Sequence, residues 1–383
     1  MRSIPGVGEL ANRVGDALRG FARPWEVAVF FALPLALLSV VFFADLRWSG
    51  SLGDWEIFRT AAISVVHGRS PYAAALPASF THNDAFVYPP VTAFLLAPLA
   101  LLPLELGRAL VLVLAAACIP LALRLLSVRD WRCYGLALLT APVVDTVSLG
   151  ALSSLLLLGV ALAWRYRDRP TRAAAAVSVT AVAKLFVWPL WVWLLATRRV
   201  RAALEAAMLG LLLVLGGWAA ISFAGLRSYP QLLRLLSRIE AAESYSLAGL
   251  LRLTGPGATL LTVVLAVLVV ATVTLAARGP DGDRRAITVA VAGALLVTPV
   301  LWLHYFVLLF VPIGLYRPRL SGLWLVPLGF WLTPLAHSDG STWRTAAGLL
   351  VSAVIVGRAL APVRAGREDK APARVGPASP SRA

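Results

Sequence analysis

Three side chains stand out by type and by setting. Asp54 is followed by Trp55, Phe58, Ala62 and Val65, an apolar stripe at helical spacing that runs out near Gly68. That pattern predicts a helix lying along an apolar–aqueous boundary with a carboxyl at its start, a position an ordinary N-cap also takes. Lys184 lies inside an apolar stretch. A lysine in such surroundings is costly and marks a functional or paired position, unless its chain snorkels to the surface. His304 clusters with Thr298, Pro299, Trp302 and Tyr305 where two apolar runs meet, and serves there either as a boundary anchor or as a ligand contact. Carboxyl, amine and imidazole are the groups with which proteins move protons and hold anions.

Around these stand residues with weaker signals. Tyr72 follows Pro71, and Tyr88 precedes Pro89 and Pro90; aromatics beside proline at an interface are also plain anchors and turn formers. Ser244, Tyr245, Ser246 and Arg252 offer hydroxyls and a cation, while Arg227, Arg234 and Arg238 add positive charge. The same residues also suit the solvated face of an amphipathic helix. Asp281, Gly282 and Asp283 spell the Asp-x-Asp pattern that binds metal and nucleotide-sugar in soluble transferases. Here they sit in a short connection with no nucleotide-binding domain around them, so a polar turn is the better reading. No phosphate-cradling glycine loop, zinc spacing or serine nucleophile elbow is present, and no metal site is expected.

The elements that position these groups are membrane helices. Of 383 residues, 59% are hydrophobic and 14% charged, and apolar runs recur across residues 25–361. A span needs about 20 apolar residues to cross about 30 Å of hydrocarbon, and these runs lack the polar face a soluble helix requires. The runs at 26–45, 106–126, 133–148, 150–164, 202–224, 258–277, 286–301, 303–316, 321–336 and 343–361 are candidate spans. Prolines 89, 90, 98 and 103 argue against a straight helix over 88–104, and arginines flanking 172–197 suggest two half-spans that meet near Lys184. The expected fold is all-α, a polytopic transmembrane bundle of about 10–12 helices, some short or re-entrant.

The net charge of +16 does not point to nucleic acid, because the arginines form short clusters between apolar runs. Placing 1–24, 124–132, 165–172, 198–201, 278–285, 317–319 and the C-terminal tail in the cytoplasm puts most of the 35 basic residues inside. Both termini are then cytoplasmic, in a multi-pass protein of the cell membrane. Residues 1–25 read as a basic amphipathic helix on the inner leaflet, 26–362 as the membrane domain, and 363–383 as a disordered cytoplasmic tail. The outer face has two substantial loops, 46–87 and 225–257, so a site there is built from loops and helix ends. Cys118 and Cys133 both fall in hydrophobic segments and imply no disulfide framework.

Over about 54–305 the chain resembles the bacterial polyprenol-phosphate-sugar transferases of glycosyltransferase family 87, which have the GT-C fold. The resemblance rests on Asp54, Gly68 with Pro71 and Tyr72, Tyr88-Pro89-Pro90 with Pro98 and Pro103, Lys184, Ser246-Leu247 before Arg252, and Pro299, Trp302 and His304. The chain departs from the family pattern in three places. Gly150-Ala151-Leu152-Ser153 stands where a Gly-Gln-x-Asn turn is common, Lys184 is farther from Pro189 than usual, and Tyr305 replaces a second histidine.

The resemblance implies an inverting transferase that moves a hexose, mannose first among the sugars, from a polyprenyl-phosphate donor to a glycolipid or glycan acceptor outside the membrane. Asp54 would be the general base. Lys184, His304 and Arg252 would bind the donor phosphate, and Tyr72, Tyr88, Tyr245, Ser246 and Trp302 the sugar or acceptor. No cofactor is implied; the partners are the donor, the acceptor and membrane lipids. Arabinofuranosyl transfer on the same fold is an alternative. A transporter or flippase of a lipid-linked substrate is another, although the internal repeat such proteins often show is not evident.

Overall fold

The structure is a computed structural model that describes residues 23–47, 53–72, 85–333 and 341–361. The predicted amphipathic N-terminus, the C-terminal tail and parts of the first outer loop lie outside the described residues. All regular structure within them is helical, and no strand occurs among them.

The first helix among the described residues, α1, comprises Pro24–Val27, a π-helical stretch Ala28–Ala32, and Leu33–Arg47. It is followed by α2 (Gly53–Val66), α3 (Pro90–Ala100) and α4 (Leu104–Leu125). Then come α5 (Trp131–Leu138), α6 (Ala141–Ser148), α7 (Ser153–Arg165) and α8 (Pro170–Ala183). Next are α9 (Pro189–Ala196), α10 (Val200–Ala220), α11 (Tyr229–Ile239) and the single turn α12 (Leu247–Leu250). The last of the described helices are α13 (Gly255–Ala276), α14 (Gly282–Val297), α15 (Phe310–Tyr316) and α16 (Thr342–Leu360).

Among the described residues five helices are long and apolar enough to cross a membrane alone, or six if α6 and α7, bent by 116°, make one span. Their outward faces are apolar. Leu204, Met208, Leu211 and Leu215 of α10 lie at helical spacing and are exposed, Met208 by 66%. The faces of α13 and α1 are equally greasy. Such surface would aggregate in water and is stable against lipid tails. The chain is a multi-pass membrane protein.

Several expected spans are broken, each for a local reason. Residues 133–148 form α5 and α6, because Thr140 is extended (φ −83°, ψ 144°) ahead of Pro142. Residues 303–316 begin as a 3-10 helix, Leu303–Leu309, before α15. Residues 321–336 contain the 3-10 helices Gly322–Trp324 and Val326–Leu332. Over 88–104 the prolines act as punctuation: Pro90 opens α3, Pro98 stands near its end, and Pro103 caps α4.

The arginine-rich ends of α8, α9 and α14 are clasped together. The Asp283 carboxylate accepts from Arg167 (2.9 Å), Arg199 (2.8 Å) and the Trp193 indole (2.9 Å), and Arg199 also reaches Asp168 at 3.0 Å. The Asp-x-Asp pattern is thus a turn, with Asp281 left-handed (φ 56°), whose second acid ties three connections together. From that end α8 climbs 14 residues, about 21 Å at 1.5 Å per residue. Lys184, at its far end, therefore stands within a slab about 30 Å thick.

Candidate active site

The stripe predicted for α2 is its packing face. Trp55, Phe58, Ala61, Ala62 and Val65 are buried, and the helix lies against α3. The Trp55 amide donates to the Leu149 carbonyl at 3.3 Å, which fixes the start of the helix. At the far end Gly68 adopts φ +68°, and the Gly68 and Arg69 amides close back onto the Val65 and Ser64 carbonyls, a left-handed cap that favours glycine. Two acids occupy the first turn. Glu56 is paired with the buried guanidinium of Arg108. The Asp54 carboxylate makes no hydrogen bond or ion pair among the described residues, and the residue lines a cavity.

That cavity, about 260 Å³, is walled by α2, the 85–89 loop, the α8–α9 break, α11 and the 298–305 segment. Lys184 forms its floor. Its backbone is extended (φ −152°, ψ 107°), which ends α8, and the Thr92 hydroxyl donates to the preceding carbonyl, Ala183, at 3.3 Å. The Lys184 Nζ is buried without a hydrogen-bond partner among the described residues. It stands 3.8 Å from the Tyr305 ring centroid and 5.2 Å from that of Tyr88. These two π-faces hold the ammonium without neutralising it, and Asp54 interacts with it electrostatically across the cavity. Tyr305 in turn stacks on Phe186 at 4.9 Å.

The nine residues singled out in the sequence fall into three groups. Asp54, Lys184, Tyr88 and Trp302 line the cavity. Tyr72, His304, Tyr245 and Ser246 stand behind its walls. The Tyr72 hydroxyl donates to the Tyr88 carbonyl at 2.7 Å, and its ring stacks on Trp218 at 5.3 Å. Gly225 (φ +88°) lies close under that ring, where a Cβ would come within 2.9 Å of Tyr72 Cδ2. His304 is buried, its Nδ1 3.3 Å from Asp145 Oδ2 and its ring against Tyr305. Tyr245 is packed edge-on to Phe306, and Ser246 caps α12 by accepting from the Gly249 amide. Arg252 lies apart: it is left-handed (φ 52°) and exposed, and it donates to the Thr342 hydroxyl at 3.2 Å.

Three wall residues carried weaker signals in the sequence. Tyr305 is the nearer of the two rings that face the lysine. Tyr229 donates from its hydroxyl to the Val87 carbonyl at 2.9 Å, holding the loop that carries Tyr88. Glu240, just beyond α11, lines the cavity and is buried. Burial, and then the neighbouring Glu243, push its carboxyl up to about 7. The positions 229, 233, 236 and 240 form one helical stripe along the cavity wall, a spacing visible in the sequence.

The model of glycosyltransferase family 87 matches residues 86–304, more than half of the chain. The chain belongs to glycosyltransferase family 87. No curated protein and no solved structure matches it. The protein is therefore a membrane-embedded glycosyltransferase, with a sugar donor and an acceptor as its substrates. Tyr88, Lys184, Trp302 and His304 lie inside the matched region, whereas Asp54 precedes it.

Proposed function

We propose that this family 87 enzyme transfers a hexose, with mannose the leading candidate, from a polyprenyl-phosphate donor to a glycolipid or glycan acceptor at the outer face of the cell membrane. The observation that carries the proposal is the pairing in one cavity of an acid and an amine, each without an ion-pair partner among the described residues. Burying an uncompensated ammonium destabilises the fold, so the arrangement makes sense where an anion arrives to meet it. A lipid phosphate is such an anion, and it reaches a membrane cavity by lateral diffusion. The arginine-rich ends of α8, α9 and α14 belong on the cytoplasmic side by the positive-inside rule. That supports a reading in which the cavity, at the opposite ends of those helices, faces the outer leaflet.

The chemistry follows from the groups. An acceptor hydroxyl between Asp54 and the sugar attacks the anomeric carbon from the face opposite the phosphate. A C–O bond to the acceptor forms as the anomeric C–O bond to phosphate breaks, so the configuration inverts. Asp54 takes the hydroxyl proton, a contribution of about 10²–10⁴-fold for a positioned base. Polyprenyl phosphate departs with the bonding pair and needs no proton. Lys184 offsets its charge in a site from which water is largely excluded. Tyr88 and Trp302 offer flat faces to the sugar. His304, set by Asp145 and packed against Tyr305, holds the wall beside Lys184 and is a positioning residue.

Reconstituted protein supplied with labelled polyprenyl-phosphate mannose, with Asp54→Asn as control, is the direct test. Transfer by the wild type with a loss of kcat of about a hundredfold or more in the variant is expected. Unchanged kcat in Asp54→Asn would refute the base, and the failure of wild type to transfer from any polyprenyl-phosphate sugar would refute the donor class.

A further inference from the structure

A second groove, about 690 Å³, runs beside the catalytic cavity between α11 and the first turns of α13. The helix α11 is the partition. Its positions 229, 233 and 236, with 240 just beyond it, face the cavity, and 234 and 238, with 241, face the groove. Ser237 and Pro299 line both, so the two spaces adjoin there. Arg234 and Arg238, one turn apart, stand exposed along the groove and make no side-chain hydrogen bond or ion pair among the described residues. The opposite wall is apolar and lipid-facing: Leu260 and Val263 are exposed by 66% and 55%.

We infer that this groove is the loading site for the donor lipid: it takes the isoprenyl phosphate, tail along α13 and phosphate at Arg234 and Arg238, with the sugar passing Ser237 and Pro299 into the cavity. The inference rests on the polyprenyl-phosphate reading above. Two guanidiniums one turn apart on a helix at the membrane boundary fit a phosphate, for which their fork geometry is suited. A single apolar chain fits the α13 wall, where Gly255, Ala258 and Thr259 keep the surface shallow. Adjacency to the cavity favours the donor over a structural lipid, because a phosphate captured at Arg234 and Arg238 has only the α11 partition to pass before it reaches Lys184.

The test uses the full chain in nanodiscs and a photoreactive benzophenone-tagged prenyl phosphate carrying no sugar, so that its outcome does not depend on turnover. Cross-links are expected within residues 234–263, competed by unlabelled polyprenyl phosphate. They should fall about tenfold in the Arg234→Gln, Arg238→Gln double variant, the scale of two boundary charge contacts. Thr259→Phe, which fills the groove from the other wall, should weaken them without touching charge. Cross-links that persist in both variants, that map elsewhere, or that phosphatidylglycerol competes as well as prenyl phosphate does would overturn the inference. Sugar transfer is measured in parallel. Absent transfer with intact cross-linking would sink the donor class as a substrate and leave the lipid-phosphate site standing. Normal transfer with the cross-linking pattern lost in wild type would do the reverse.

Discussion

Replacing Lys184 by methionine should lower activity and raise stability at the same time. The ammonium is buried with no hydrogen-bond acceptor, 3.8 Å from one aromatic face and 5.2 Å from another. Cation–π contacts return about 0.5–2 kcal/mol, less than the several kcal/mol that an ion loses on leaving water. Methionine fills nearly the same length with no charge. The variant should gain about 1–3 kcal/mol, read as a higher melting midpoint in detergent or nanodiscs. Catalysis moves the other way. Removing one preorganised group from a water-poor site costs about 3 kcal/mol in the transition state, on the order of a hundredfold in rate. The assay is initial-rate transfer from polyprenyl-phosphate mannose, with kcat and KM separated. A Lys184→Met protein that retained most of its kcat/KM, or that melted lower than wild type, would refute the reasoning, since the lysine would then be structural.

Two further perturbations separate site from scaffold. Glu240 ionises near 7 in the folded protein, against an ordinary 4.5, because burial and Glu243 disfavour its charge. Its folded pKa is raised, so the folded state holds the proton more tightly than the unfolded chain. Stability therefore falls as pH rises from about 4.5 to 7 and levels off above that. Glu240→Gln should melt close to wild type near pH 5 and higher at pH 8, by an amount on the order of 2 kcal/mol; a pH-independent difference would contradict this. Asp283→Ala leaves two guanidiniums and an indole without their shared acceptor. It should destabilise the fold by about 2–3 kcal/mol while the folded fraction keeps its kcat. Loss of kcat at unchanged stability would mean that the Asp-x-Asp pattern does chemistry.

The membrane fold was legible because hydropathy is additive along the chain: a run of apolar residues needs no partner to be recognised. Lys184 was legible for the same reason, as a charge where none belongs. Broken spans were less so, since a helix over 133–148 and the turn at Thr140–Pro142 compete through backbone sterics that composition hardly registers. The cavity divided the candidate residues by a criterion absent from spacing. Tyr245 and Ser246 have the right chemistry, yet the turn at α12 directs one into packing and uses the other as a cap. Arg252 is cationic and close in sequence, but its left-handed backbone sends it toward α16. Glu240 was hidden because its charge suggested an exposed residue, and only the stripe 229, 233, 236, 240 places it inward. Tyr305 looked like a lost histidine and turns out to be the face against which the lysine rests.

The most direct measurement is a cryo-EM structure of the enzyme with a phosphonate analogue of polyprenyl-phosphate mannose. The account predicts phosphonate oxygens about 3 Å from Lys184 Nζ, with the anomeric carbon turned toward Asp54 and the prenyl chain leaving between α11 and α13. An analogue bound with its phosphonate away from Lys184, or with Asp54 on the same side of the anomeric carbon as the phosphonate, would contradict it.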